Sequence, residues 1–187
     1  MKKIIFSSLV CAAIFSMTSC NKEGANSAEV STENAVSESK GLVMVLEGVF
    51  PTNDTYQIFY SNDGSFSEDK SIRIPVIGQS VLQKVVVELP ENVKPQSLRL
   101  DYGYNSNQTV VTIKKAEFTY QGNSFEVNGA DFYGKFFVDG QGTSYDPITL
   151  SINIKSNDDG SYDPYALSTD ELKKNLNKLY NQVKEAK

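Results

Sequence analysis

Leu98-Arg99-Leu100-Asp101 places a guanidinium and a carboxylate two residues apart, and on an extended strand such residues share one face. Leu98 and Leu100 must then point to the core if the charges are to avoid burial. Arg99 and Asp101 read either as an exposed ion pair, worth well under about 1 kcal/mol, or as a hydrogen-bonding patch for sugar hydroxyls. The same parity makes Tyr102 a packed residue and leaves Tyr104 in an exposed loop, Tyr104-Asn105-Ser106-Asn107-Gln108. Amides bind hydroxyls while aromatic rings cover the apolar face of a sugar, so Tyr104 and Asn105 join Arg99 and Asp101 as the candidate glycan-binding set. The chain has no tryptophan to strengthen that reading, and its ten tyrosines are also what a β-sandwich uses for packing.

Other chemistries are poorly supplied. The chain has no histidine and only two cysteines, Cys11 and Cys20, which removes Ser-His-Asp and Cys-His nucleophiles and histidine-ligated zinc. Asp54, Asp63, Glu68, Asp69, Asp131, Asp139 and Asp146 fall in or near expected loops, where turn formation explains an aspartate without catalysis. A glycosidase pair would need carboxyl groups roughly 5–9.5 Å apart and one raised pKa, which no spacing here implies, so no enzyme activity and no catalytic residue are expected. Asn157-Asp158-Asp159-Gly160-Ser161-Tyr162-Asp163 offers oxygen ligands for calcium. It lacks the twelve-residue loop and closing glutamate of an EF-hand, and a solvated turn before the last element is the favoured alternative. No cofactor is expected.

The amino terminus specifies location. Lys2 and Lys3 precede an apolar stretch from Ile4 to Phe15 and then Met17-Thr18-Ser19-Cys20. This is a secretory pattern too short for a permanent membrane helix. Met17, two small residues and Cys20 resemble the lipobox of bacterial lipoproteins. That resemblance implies a signal peptide over 1–19, a diacylglyceryl thioether on Cys20 and an acylated amino terminus. Cys11 lies inside the apolar run, where cleavage would cut the hydrophobic segment too short. Each acyl chain contributes roughly 0.8 kcal/mol per buried methylene, so a multiply acylated cysteine anchors stably. Asn21 stands where enterobacterial inner-membrane lipoproteins carry aspartate, which points to the outer membrane, and Lys22-Glu23 weakly resembles the export tag of surface lipoproteins in Bacteroidetes-type bacteria. The side of the membrane stays open.

Residues 21–40 are small, polar and acidic apart from two valines, a composition that cannot offset the entropy of ordering. With Cys20 they read as a lipidated tether, roughly 70 Å long at full extension. Lys2 and Lys3 leave with the signal peptide, so the mature chain carries 16 of the 18 basic residues against 23 acidic ones. That surplus makes nucleic acid and anionic lipid surfaces poor partners.

Residues 41–187 suffice for one domain with a real core. Their apolar periodicity is mostly two. Ile148, Leu150, Ile152 and Ile154 alternate with polar residues, as do Ile72, Ile74 and Val76, and Val85, Val87 and Leu89. From Thr109 to Tyr120 the apolar parity shifts between Ile113 and Ala116, which a one-residue β-bulge near Lys114-Lys115 reconciles. Further strands are expected near 42–50, 55–60, 97–103, 123–127 and 132–138. Nine short strands at this spacing indicate a mainly β protein, an antiparallel β-sandwich of jelly-roll type. Ser168-Thr169-Asp170-Glu171 reads as a capping box, and Leu172, Leu176, Leu179 and Val183 follow at helical spacing. An amphipathic helix is expected over about 169–185, packed on the sandwich or offered to a partner.

Three segments carry the chain's specificity: Gln57-Ile58-Phe59-Tyr60 with Gly64-Ser65-Phe66-Ser67-Glu68, Leu89-Pro90 with Leu98-Arg99-Leu100-Asp101, and Val111–Tyr120. Asn62-Asp63-Gly64 turns the chain so that Phe66 can fold back as a hydrophobic plug. In this order they resemble a β-sandwich module of bacterial cell-surface polysaccharide proteins, over about residues 42–155. The resemblance implies a jelly-roll fold and carbohydrate contact, and it carries no catalytic residue across. Two functional classes follow: a membrane-anchored, non-catalytic envelope lipoprotein that binds glycan, or a scaffolding lipoprotein that presents its sandwich and helix to an envelope protein.

Overall fold

The computed structural model describes residues 39–182; the signal peptide, Cys20, the tether up to residue 38, and Val183 lie outside the described residues. Among the described residues there are eleven strands and two α-helices: β1 (Val43–Phe50), β2 (Asp54–Ser61), β3 (Ser71–Val76), β4 (Gln79–Glu88), β5 (Ser97–Asp101), β6 (Val110–Tyr120), β7 (Asn123–Asn128), α1 (Gly129–Phe132), β8 (Phe137–Asp139), β9 (Thr143–Asp146), β10 (Ser151–Ile154), β11 (Tyr165–Ser168) and α2 (Asp170–Asn181). They form two antiparallel sheets packed as a sandwich. One has the order β4-β1-β6-β10-β9, with β7 also on β6, and the other β3-β2-β5-β11-β8. The chain passes between sheets as strand pairs: β1 to β2, β3 back to β4, and β5 to β6. The mainly β sandwich with a C-terminal helix is the fold class that the sequence periodicity implies.

Alternation builds the core between the layers. Met44, Leu46 and Phe50 of β1, Tyr56 and Ile58 of β2, Leu98 and Leu100 of β5, and Val111, Ile113, Ala116 and Phe118 of β6 are buried. In β6 the pairing runs Glu47 to Lys115 and then Gly48 to Ile113, leaving Lys114 as the extra residue of a bulge. The bulge lets Ile113 and Ala116 both face inward although their separation is odd. It also divides the far edge of β6, whose residues before it pair with β10 and those after it with β7.

Three expectations are corrected. The strand expected from Ile148 begins only at Ser151; Ile148 is 91% exposed and Leu150 has a left-handed φ of 55°. Asp146 causes this, because its carboxylate accepts from Ile148 N at 2.8 Å and from Thr149 Oγ1 at 2.8 Å, and winds the chain into a turn after Pro147. Residues 132–138 are not one strand. Asn128 caps the short α1 by accepting from Asp131 N at 2.9 Å, and only Phe137–Asp139 is extended. At α2 the cap is Thr169 rather than Ser168, whose hydroxyl accepts from Leu98 N at 2.8 Å.

Helix α2 ends at Asn181 and lies on the sandwich. Leu172, Leu176 and Leu179 are buried, the Tyr180 ring packs edge-on to Tyr120 at 5.1 Å, and Gln96 and Asn177 exchange amide hydrogen bonds of 2.8 and 2.9 Å.

Candidate functional site

The outer face of the five-stranded sheet holds a cleft of about 390 Å³ lined by Gln57, Phe59, Phe66, Ser67, Glu68, Arg99, Asp101, Tyr104 and Asp163. Strand parity makes its floor. Because Tyr56 and Ile58 point inward, Gln57 and Phe59 point outward, and the register sets Gln57 beside Asp101 and Phe59 beside Arg99. On the other side Tyr165 sits beside Asp101.

The chain after β2 folds over this floor. Ser61 Oγ accepts from Gly64 N at 3.0 Å and Asp63 Oδ1 from Ser65 N at 2.9 Å, while Gly64 adopts φ 87°, a conformation that favours glycine. The turn returns Phe66 to Phe59, with ring centroids 6.5 Å apart and nearly perpendicular. A 3-10 turn, Glu68–Lys70, then brings Glu68 over Gln57, whose Nε2 donates to Glu68 Oε2 and to Ser71 Oγ, both at 2.8 Å.

Arg99 is the hub. Its Nε and Nη2 donate to the two oxygens of Asp101 at 2.7 and 2.8 Å, and Nη2 also reaches Asp163 at 3.1 Å. The guanidinium lies 4.0 Å from the centre of the Tyr165 ring and 5.3 Å from that of Phe59. The exposed ion pair is thus corrected to a half-buried one: side-chain exposure is 23% for Arg99 and 10% for Asp101, because the loops carrying Phe66 and Asp163 cover it. Burial pushes the Asp101 carboxyl up to about 6 against the lowering effect of Arg99, and the nearby charges of Asp163 and Glu68 add to the rise.

Tyr104 forms one rim. It is 59% exposed and its hydroxyl donates to Gln57 Oε1 at 2.6 Å. The loop that presents it is held by Asp54, whose carboxylate accepts from Tyr104 N at 2.8 Å and Asn105 N at 3.0 Å. Gly103 permits this contact: its φ is 93°, and a Cβ there would overlap the Asp54 carboxylate. Gln108, fully buried, fixes the loop's end by donating to Tyr102 O at 2.6 Å and accepting from Tyr56 OH at 3.0 Å. Asn105 does not line the cleft. Its amide donates to Asn53 O at 3.0 Å and accepts from Asn107 N at 3.1 Å, so it shapes the loop.

Three of the four candidate residues therefore meet in one cleft, and the Gln57-x-Phe59, Phe66-Ser67-Glu68 and Arg99-x-Asp101 segments converge on it. Tyr165 escaped sequence reasoning because β11 is too short to show a period. Asp163 was read with the Asn157–Asp163 turn, but it faces Arg99. In that turn Asp159 accepts from Ser161 N at 2.9 Å and from its hydroxyl at 2.6 Å. A second hollow of about 440 Å³ lies beside it, between Gln141, Gly142, Lys155 and Asn157–Asp159, with no aromatic wall. Among the described residues no group of three or more acidic side chains is placed to hold a metal ion. Compared with known proteins, the chain matches no family model, no curated protein and no solved structure.

Proposed function

We propose that this protein is a non-catalytic lipoprotein of the bacterial cell envelope, anchored through Cys20 at the outer membrane, that binds glycan in the Arg99 cleft. The carrying observation is the join of aromatic surface to a fixed polar floor: the exposed Tyr104 ring and the half-buried Phe66, which packs on the buried Phe59, stand around Gln57, Arg99 and Asp101. Sugars need both surfaces, one for their C–H face and one for their hydroxyls, and a cleft of this volume lies within the usual range of small-ligand sites, roughly 300–1,000 Å³. The floor residues bind one another, so the polar geometry is preorganised before any ligand arrives.

The scaffolding alternative now rests on a different surface. The apolar stripe of α2 is covered by the sandwich, whereas Val81, Leu82 and Val86 of the edge strand β4 are more than half exposed. Lys84 and the register shift between Gly48 and Phe50 interrupt that edge, which are devices that discourage strand addition.

A glycan-array screen of the full chain tests the proposal, with Tyr104→Ala and Arg99→Ala beside it. Tyr104→Ala should weaken binding about two- to tenfold, as loss of one stacking ring of roughly 0.5–1.5 kcal/mol implies, and lower the melting temperature slightly, because it leaves the buried Gln57 Oε1 without its donor. Arg99→Ala should abolish binding and also lower stability, because it leaves Asp101 unpaired. No saturable binding by the folded protein transfers the case to a protein partner.

A further inference from the structure

The hydrogen-bonding inventory of the cleft is lopsided. Both Nε2 hydrogens of Gln57 are committed to Glu68 and Ser71, the Tyr104 hydroxyl is donated to Gln57, and Nε and Nη2 of Arg99 are committed to Asp101 and Asp163. Of these donors only Nη1 of Arg99 is left for a ligand. Acceptors are in excess, because each carboxylate oxygen takes two hydrogen bonds. Glu68 Oε1 accepts none among the described residues, and Asp163 receives only the long bonds from Arg99 at 3.1 and 3.2 Å. Charge runs the same way. Glu68, Asp101 and Asp163 face only two guanidiniums, Arg99 and the Arg73 that reaches Glu68 at 3.0 Å. One negative charge remains uncompensated beside the aromatic rim.

Resting on the glycan reading above, we propose that the cleft engages sugars through the ligand's own donors and prefers an amino sugar, whose ammonium group satisfies Glu68 and Asp163. Uronate, sulfated and phosphorylated sugars add acceptors and negative charge beside Glu68 and Asp163, so they bind more weakly than their neutral counterparts. The discrimination is by charge and is modest, because the Glu68 and Asp163 side chains are 70% and 51% exposed and water screens them.

The test is a panel of gluco-, galacto- and manno-configured oligosaccharides, each in neutral, 2-amino and uronate form, titrated into the full chain at low and physiological salt. The amino member of a bound series should be tighter than its neutral counterpart by about three- to fivefold at low salt, with the ratio shrinking as salt rises, as expected for a partly exposed charge. The uronate member should be weaker than its neutral counterpart by a similar factor at low salt. Glu68→Gln should move the amino-to-neutral ratio towards one, with thermal melting run alongside to show that the variant is folded. Equal affinity for neutral and amino members, or a uronate that binds as tightly as its neutral counterpart, overturns this inference and leaves the glycan reading standing. Failure of every member to bind overturns both.

Discussion

Asp101 shows how a side chain placed correctly by sequence can acquire a property that sequence conceals. Its face followed from Leu98 and Leu100, both buried as the parity requires. Its burial did not, because Arg99 above it is enclosed by Asp163, Tyr165 and Phe59, with Phe66 packed on Phe59, and these lie in other segments of the chain. Removal from water raises its carboxyl to about 6 from an ordinary 3.8. A folded-state value above the unfolded one means that the native protein holds the proton more tightly, so this group's contribution to stability is complete below the unfolded value and lost as pH rises through about 6. Asp101→Asn removes the titration. The stability of the natural protein relative to that variant should therefore increase as pH falls from 7 to 4, measured by denaturant titration at each pH; a flat or decreasing difference would show that the Arg99 fork, rather than burial, dominates.

At the scale of elements, legibility tracked length and proximity. The bulge at Lys114 could be found because eleven residues of β6 display two parities, and α2 because three leucines repeat at helical spacing. β9 and β11, with four residues each, show no period and escaped detection. Ile148 and Leu150 were misplaced for a different reason: they continue the alternation of β10, but the side-chain hydrogen bonds of Asp146 form a local turn that overrides it. The packing of α2 also required the structure, since an apolar stripe does not name what covers it. Leu176 is fully buried against the sandwich, so Leu176→Ala should destabilise the domain by about 2–5 kcal/mol in equilibrium unfolding. Lys174→Ala, on the exposed side of the same helix, should stay within about 0.5 kcal/mol. Equal, small effects would mean that the helix is not docked in solution.

For the whole molecule, the proposed function assigns attachment and recognition to different parts of the chain. Among the described residues no helix is long and apolar enough to cross a membrane, and the sandwich core closes on itself. The chain enters through Gly41 into β1 of the six-stranded sheet, whereas the cleft lies on the outer face of the other sheet, one layer spacing of roughly 10 Å away. The segment between Cys20 and Gly41 has only Lys22 and Lys40 as basic residues and four glutamates, so it provides no polybasic patch to supplement the acyl chains. On the proposed reading membrane attachment depends on the lipid, and it should not respond to salt. Cys20→Ser should move the protein from the membrane fraction to the soluble fraction in low-salt as well as high-salt buffer, with its melting temperature unchanged. Retention of the Cys20→Ser protein on membranes through a high-salt wash, with its mass showing that residues 1–19 have been removed, would mean that a surface of the folded domain, and not the acyl group, holds it there.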